Sequence, residues 1–403
     1  MKEKIIVCIS CYYKGYDFMD EMQKLGNRVI LITSENLRDK NWPWHAIEET
    51  FYMPESKPSV WNLDHLVQGF SYIMQTRKVD AVVALDDYDV EKAALIRETF
   101  RIPGMGQTTH RYFRDKLAMR QKADQSTINV PEFTAVFNND EIHHFTQKVS
   151  APWVLKPRSE ASASGIRKIN SEYELWEALN ALGDERHLFL LESFKPGDVY
   201  HVDSLTFNND TIFTSASQYL APPMQVSHEG GVFMTKTLGT DSDEFMELSD
   251  LNTQLLTAFG LKNGATHTEF IKGKDDRKWY FLETSSRVGG AHIPDLVEAA
   301  THINIWREWA RIEDALLKNK EYKIADPEGY YAGLIIALIK DQSPDYRDFE
   351  SEEVIKFLPI DHHIGIVFRS DDPDVIQEKL DDAAVTIQEE MLSILPPKTK
   401  PTS

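Results

Sequence analysis

Cysteine is nearly absent: the chain of 403 residues has two, Cys8 and Cys11, both close to its start. Their C-x-x-C spacing would suit a redox pair or half of a zinc site. A structural zinc needs four ligands, however, and no second Cys/His pair at matching spacing follows. Cys8 falls inside the apolar run Ile5-Ile6-Val7-Cys8-Ile9, where a thiol reads as a small core residue. Long hydrophobic runs are missing too. No stretch approaches the roughly 18 apolar residues that a membrane helix needs. The opening KEKIIVCIS has too short an apolar run for a secretory leader and no small-residue cleavage site after it, so a cytoplasmic location is expected. Positive charge is scarce, with 44 Lys and Arg against 64 Asp and Glu and a net charge of -20. With no basic stripe to displace phosphate counterions, nucleic acid is excluded as a partner. Any anionic substrate must therefore meet a local basic site set against the overall field. Also lacking are a G-x-G-x-x-G fingerprint, the G-K-[ST] ending of a Walker A loop, internal repeats and low-complexity tracts.

What remains is the composition of a folded protein, 42% hydrophobic and 11% aromatic, in a chain long enough for two or three packed subdomains. The first hundred residues alternate strand and helix patterns. Ile5–Ile9 reads as a buried parallel strand, and Phe18, Met22 and Leu25 mark a helix closing at Gly26. Strands follow at Arg28–Thr33 and Val79–Leu85, the latter running into Asp86, Asp87 and Asp89, and then a helix at Glu91–Phe100. This order predicts a doubly wound α/β domain with ligands at the strand C-termini. Trp42, Trp44 and Trp61 read as its packing residues. Beyond Tyr112 come a basic helix at Arg114–Ala123, a strand at Trp153–Pro157, a helix at Glu172–Leu182, and strands at Leu188–Phe194 and His201–Thr206. After about Asp326 a shorter α+β tail is expected, with strands Tyr330–Ile339 and Ile364–Phe368 and a helix over Pro373–Met391.

Three segments carry chemistry. Residues 154–169 read VLKPRSEASASGIRKI: a lysine at a strand end, then a loop of small residues whose backbone can approach phosphates closely. Glu269 and Glu283 each sit in an apolar strand pattern, separated by the polar turn Lys272–Lys278. Two antiparallel strands would bring these carboxylates to one sheet face, where like charges repel unless a cation such as Mg²⁺ holds them. Arg287, in Ser285-Ser286-Arg287-Val288-Gly289-Gly290, suits a clamp on a phosphoryl group or a carboxylate. The run Asp86-Asp87-Tyr88-Asp89 reads as a solvated loop or as a second-substrate contact.

In this order and at these separations, the segments resemble the ATP-grasp superfamily, which includes biotin carboxylase, D-alanine–D-alanine ligase, carbamoyl-phosphate synthetase and bacterial L-amino-acid ligases. The resemblance covers almost the whole chain. Asp115-Lys116, Lys156, Leu191-Glu192-Ser193-Phe194, Glu269, Glu283 and Arg287 match its motifs, and Ala265-Thr266-His267-Thr268-Glu269 resembles the amino-acid ligases in particular. It implies an N-terminal doubly wound parallel-sheet domain (residues 1–112), a central two-lobed ATP-grasp domain (113–325, lid lobe about 125–195) and a small C-terminal α+β part (326–397).

The resemblance also implies roles. Lys116 and Lys156 would bind ATP phosphates, with Ser164 and Gly165 in the covering loop. Glu192 and the backbone near Phe194 would read the adenine. Glu269 and Glu283 would hold one or two Mg²⁺ (or Mn²⁺) ions, and Arg287 would offset charge on the moving phosphoryl group. Where many members carry Asn as a further metal ligand this chain has Ser285. Where an acidic residue often follows the hinge it has Val199, which leaves Asp198 or Asp203 for the ribose. His228, in Gln225–Lys236, and His267, Gly289, Gly290 and His292 are candidates to meet the small-molecule substrates. The implied activity is an ATP-dependent ligase that activates a small carboxylic acid, an amino acid above all, as an acyl phosphate and passes it to an amine. The alternatives are a bicarbonate-activating enzyme like biotin carboxylase and a non-catalytic ATP-binding regulatory protein. Related folds often dimerise through the first or last domain.

Overall fold

The apolar run at the start of the chain becomes an inner strand of a parallel sheet. In the computed structural model, which describes residues 3–160, 165–222, 226 and 231–393, Ile5–Ser10 is buried along its whole length. It pairs in parallel with Arg28–Ser34 on one side and Ala81–Ala84 on the other, and Ile47–Met53 completes the four-stranded sheet. Alternate side chains feed two cores, as the period of two requires. Ile6 and Cys8 join Phe18, Met19 and Trp309, while Val7 and Ile9 join Leu66, Phe70 and Ile73. Both thiols are free and buried, and burial pushes each well above the ordinary range. Trp42 and Trp61 are packing residues as expected, but Trp44 is 44% exposed. The helix expected around Phe18 spans Tyr16–Lys24, with Gly26 beyond it in the left-handed region at φ +80°. The basic helix starts at Lys116 rather than Arg114, because Asp115 caps it by accepting from the backbone N–H groups of Leu117 and Ala118.

Residues 133–193 hold a second sheet, antiparallel throughout, in the order Phe133–Ala135, Phe189–Ser193, Trp153–Pro157, Arg167–Ile169. The helices Asn139–Lys148 and Glu172–Leu182 supply its core through Phe145, Leu175 and Leu179, against Trp153 and Leu191.

The third sheet has eight strands, in the order Trp279–Ser285, Gly264–Gly273, Gly197–Phe207, Asp210–Tyr219, Val232–Thr237, Tyr331–Leu338, His363–Ser370, Val354–Phe357. The last three belong to the tail expected to stand as a separate α+β part. They continue the same sheet instead, because Tyr331–Leu338 pairs with the otherwise open edge of Val232–Thr237. The closing helix ends at Thr386 and widens into a π-helical turn over Ile387–Met391. Among the described residues no helix is long and apolar enough to cross a membrane.

Candidate active site

Glu269 and Glu283 lie directly opposite one another on the antiparallel strands Gly264–Gly273 and Trp279–Ser285. A register irregularity follows at once, between Glu269 and Phe270. Neither carboxylate is fully enclosed, with side chains 19% and 32% exposed. Glu269 accepts a hydrogen bond from the Tyr219 hydroxyl at 3.0 Å. Glu283 meets the ammonium of Lys116 at 2.8 Å. Burial opposes ionisation of Glu283, but Lys116 and Lys156 outweigh it and hold the carboxyl below its usual range.

Lys116 is the first residue of its helix. It also donates to the carbonyl of Glu160 at 2.7 Å, so it joins Glu283 to the start of the small-residue segment. Lys156 projects from the second sheet onto Glu192 at 2.5 Å, and burial lowers its pKa to about 8 despite that partner. Gly165 has φ +72°, and a Cβ there would come 2.9 Å from Pro157, so a glycine is needed where the loop folds back. Ser164 and His228 lie outside the described residues.

The two residues expected at the adenine are both engaged with the protein. Glu192 is a buried counter-ion, with one oxygen on Lys156 and the other on Arg120 Nε at 3.0 Å. The Phe194 backbone N–H donates to the Pro152 carbonyl at 3.0 Å, and what the residue carries on its ring face is the ammonium of Lys168, 4.0 Å from the centroid. Asp203, the candidate for the ribose, lies on the strand Gly197–Phe207. It is wholly buried and both of its oxygens are taken, by His201 Nδ1 at 2.7 Å and His267 Nδ1 at 2.9 Å. The two imidazoles hold Asp203 well below the usual carboxylate range against the effect of burial. In return, although burial disfavours its charge, Asp203 pushes His267 up to about 9. The far nitrogen of His267 is 3.8 Å from Glu269. Oxygen and imidazole atoms of His201, Asp203 and His267 converge as metal ligands could, but the direct hydrogen bonds already satisfy both carboxylate oxygens.

Arg287 is also committed. Its guanidinium binds Asp87 through Nε at 2.9 Å and Nη2 at 2.5 Å, joining the third sheet to the C-terminal end of the parallel sheet. Burial is overcome by Asp87, and the guanidinium is held firmly charged. Asp87 in turn stays well below the ordinary range, because Arg287, Arg114 and Ser285 outweigh its burial. Ser285 thus stands two residues from Glu283 on the same strand, but beside Asp87. The acidic run is therefore not a solvated loop: Asp86, Asp87 and Asp89 are all buried, and Lys14 pairs with Asp86.

Gly289 packs against the His201–Asp203–His267 group, since a Cβ would lie 2.9 Å from Asp203 Oδ1. Gly290 borders open space. His292 takes a left-handed conformation at a helix start and binds Asp295 at 2.8 Å, rather than the lysine–glutamate cluster. The sequence reading missed Arg120, Tyr219, His201 and the binding partner of Arg287. Arg120 had a signal, being four residues beyond Lys116 on one helix face. Tyr219 had none.

Against known proteins, the model of the ATP-grasp domain matches residues 149–295. An L-arginine-specific L-amino acid ligase from Bacillus subtilis is 24% identical over 241 residues, which span 58% of this chain and 57% of that protein, little more than half of its length. Among solved structures, an L-amino acid ligase from Bacillus licheniformis superimposes with a TM-score of 0.72 at 20% identity, covering 98% of this chain and 99% of that one. An N5-carboxyaminoimidazole ribonucleotide synthetase from Thermus thermophilus gives 0.72 at 16% identity, with 98% and 100% covered. A 2-oxoglutarate carboxylase biotin carboxylase domain from Hydrogenobacter thermophilus, in complex with MgADP, ADP and bicarbonate, gives 0.70 at 14% identity, with 97% and 91% covered. Residues 149–295 thus match the ATP-grasp domain, and the chain has the ATP-grasp fold.

Proposed function

We propose that the chain is an ATP-dependent carboxylate–amine ligase, forming an amide or peptide bond from a small acid, above all an amino acid, with release of ADP and phosphate. The observation that carries the reading is the cross-strand pair Glu269/Glu283, with Lys116 on Glu283 and the charge of Lys156 acting on it from its place beside Glu192. Two facing carboxylates with oxygen donors only are the ligand chemistry that Mg²⁺ takes together with phosphates. Lys116 and Lys156 supply point charges for those phosphates, and the left-handed Gly165 lets the loop backbone come close. Bound there, the metal would offset charge on the β- and γ-phosphates as the phosphoryl group passes to a carboxylate.

The chain's own residues would do the rest. Arg287, fixed by Asp87, presents a permanent charge that steadies the transferred group without reorganising. His267, kept cationic by Asp203, offers a second charge next to Glu269 for the acid's carboxylate. Glu160 accepts from the Tyr88 hydroxyl at 2.9 Å, which ties that residue to the first domain. The partial match to an L-amino acid ligase supports amino acids as the substrates.

A screen of amino-acid pairs measuring phosphate release tests the reading. The expected result is ADP and phosphate formed only when an acid and an amine are both present. Stimulation by no amine, together with strong dependence on bicarbonate, would instead favour a bicarbonate-activating enzyme.

A further inference from the structure

Away from the lysine–glutamate cluster, a cavity of about 920 Å³ runs along the free edge of Ala81–Ala84, the last strand of the parallel sheet. The segment Gly260–Ala265 and the helix Ile305–Lys318 form its opposite wall. Its volume falls within the range of about 300–1,000 Å³ found for small-molecule sites. Its apolar lining comes from both sides, Met74 and Phe100 on one and Trp309, Leu316 and Leu317 on the other.

The charge of the lining runs against that of the chain. Five cations line the cavity, Lys4, Lys78, Arg97, Arg101 and Lys262, against the two acids Asp80 and Glu313, in a protein of net charge -20. Asp80 is already paired with Lys4 at 3.0 Å. Glu313 accepts from the Trp309 indole N–H at 3.1 Å, and burial raises its pKa. At the rim Lys78, Arg101 and Lys262 are exposed and form no ion pair among the described residues. Inside, Arg97 is fixed, donating to the carbonyls of Val82 at 3.0 Å and Met105 at 3.1 Å. Gly104, at φ +138°, makes room for it: a Cβ there would stand 2.8 Å from the arginine side chain. The inner end of the cavity reaches Ser286, so an occupant would lie against the segment that carries Arg287.

We infer that this cavity is a second ligand site, for a small organic anion with an apolar body, distinct from the nucleotide site. The apolar lining takes the body by the hydrophobic effect, and the rim cations draw the anionic group. This inference does not depend on the reaction proposed above.

The test is fluorescence titration with 8-anilinonaphthalene-1-sulfonate, an aromatic sulfonate of this chemistry, on the full chain and on an Arg101→Glu/Lys262→Glu double variant. Both substitutions are on exposed side chains outside the candidate active site, so the variant should keep the wild-type melting transition. The expected result is saturable binding at one site, retained in saturating MgADP, with affinity about tenfold weaker in the variant. Absence of saturable binding, displacement by MgADP, or equal affinity in the variant would each overturn the inference.

Discussion

Glu192 and Glu283 each lie against a lysine, in opposite circumstances. Glu192, on the second sheet, is buried between Lys156 and Arg120, with both oxygens engaged; burial alone would raise its pKa, yet the two cations hold it below the usual range. Glu283, on the third sheet, is a third exposed, has one lysine, and faces Glu269 across the strand pair. The first arrangement is closed and joins the second sheet to the third, since Arg120 also donates to the carbonyl of Leu282 on the strand Trp279–Ser285. The second is open: Lys116 and Lys156 hold Glu283 ionised, and both facing carboxylates remain partly exposed to an added cation. A carboxylate in a cluster is thus judged by whether its lone pairs are already spoken for. By that measure Glu192 and Asp203 are structural anions, Asp87 binds Arg287 through one oxygen and keeps the other without a partner, and Glu269 and Glu283 are the pair proposed to bind.

The contrast is broken most severely by removing Glu192. Glu192→Ala leaves Arg120 and Lys156 buried without a counter-ion and should lower stability by about 3–5 kcal/mol in chemical denaturation. A loss below about 1 kcal/mol would mean that the pair is not closed. Glu283→Ala should do the reverse, shifting stability little while cutting Mg²⁺-dependent turnover by about 10²–10³-fold. Unchanged turnover would refute the metal assignment. Asp87→Asn, which keeps shape but removes the anion that fixes Arg287, should lower kcat/KM by about tenfold, or ~1.4 kcal/mol of barrier. An unaffected rate would show that Arg287 does not need its partner.

The smallest effect is one of pH. Lys156, lowered to about 8 from 10.5, binds fewer protons in the folded than in the unfolded chain between those values, so stability should rise with pH over that window. Function should go the other way, because a neutral lysine gives no charge to phosphate. kcat/KM for ATP should be halved near about pH 8 and keep falling above it. Lys156→Arg should remove that limb, and a limb that persists in the variant belongs to another group.

Much of this was legible in the sequence. The buried strands announced themselves by apolar runs, and the spacing of Glu269, the polar turn and Glu283 implied their cross-strand meeting. Local pattern could not reveal partners far away in the chain. Asp87 and Arg287 are 200 residues apart, and only the packing of two sheets joins them. Asp203 for the ribose and Glu192 for the adenine rested on resemblance alone. A motif gives the position of a carboxylate but not its partners: Asp203 meets His201 on its own strand and His267 on the neighbouring one, and Glu192 meets Arg120 on the helix that begins at Lys116. The tail strands were read correctly as strands, but pattern does not say which sheet an open edge will recruit.

The central claim is that Glu269 and Glu283 together hold a divalent cation only alongside nucleotide phosphates. Electron paramagnetic resonance titration of Mn²⁺, with and without ADP, measures this on the wild type and on Glu269→Gln/Glu283→Gln. The account predicts tight Mn²⁺ binding in the wild type when ADP is present and its loss in the double variant, with folding unchanged. Equal Mn²⁺ binding by both proteins in the presence of ADP would contradict it.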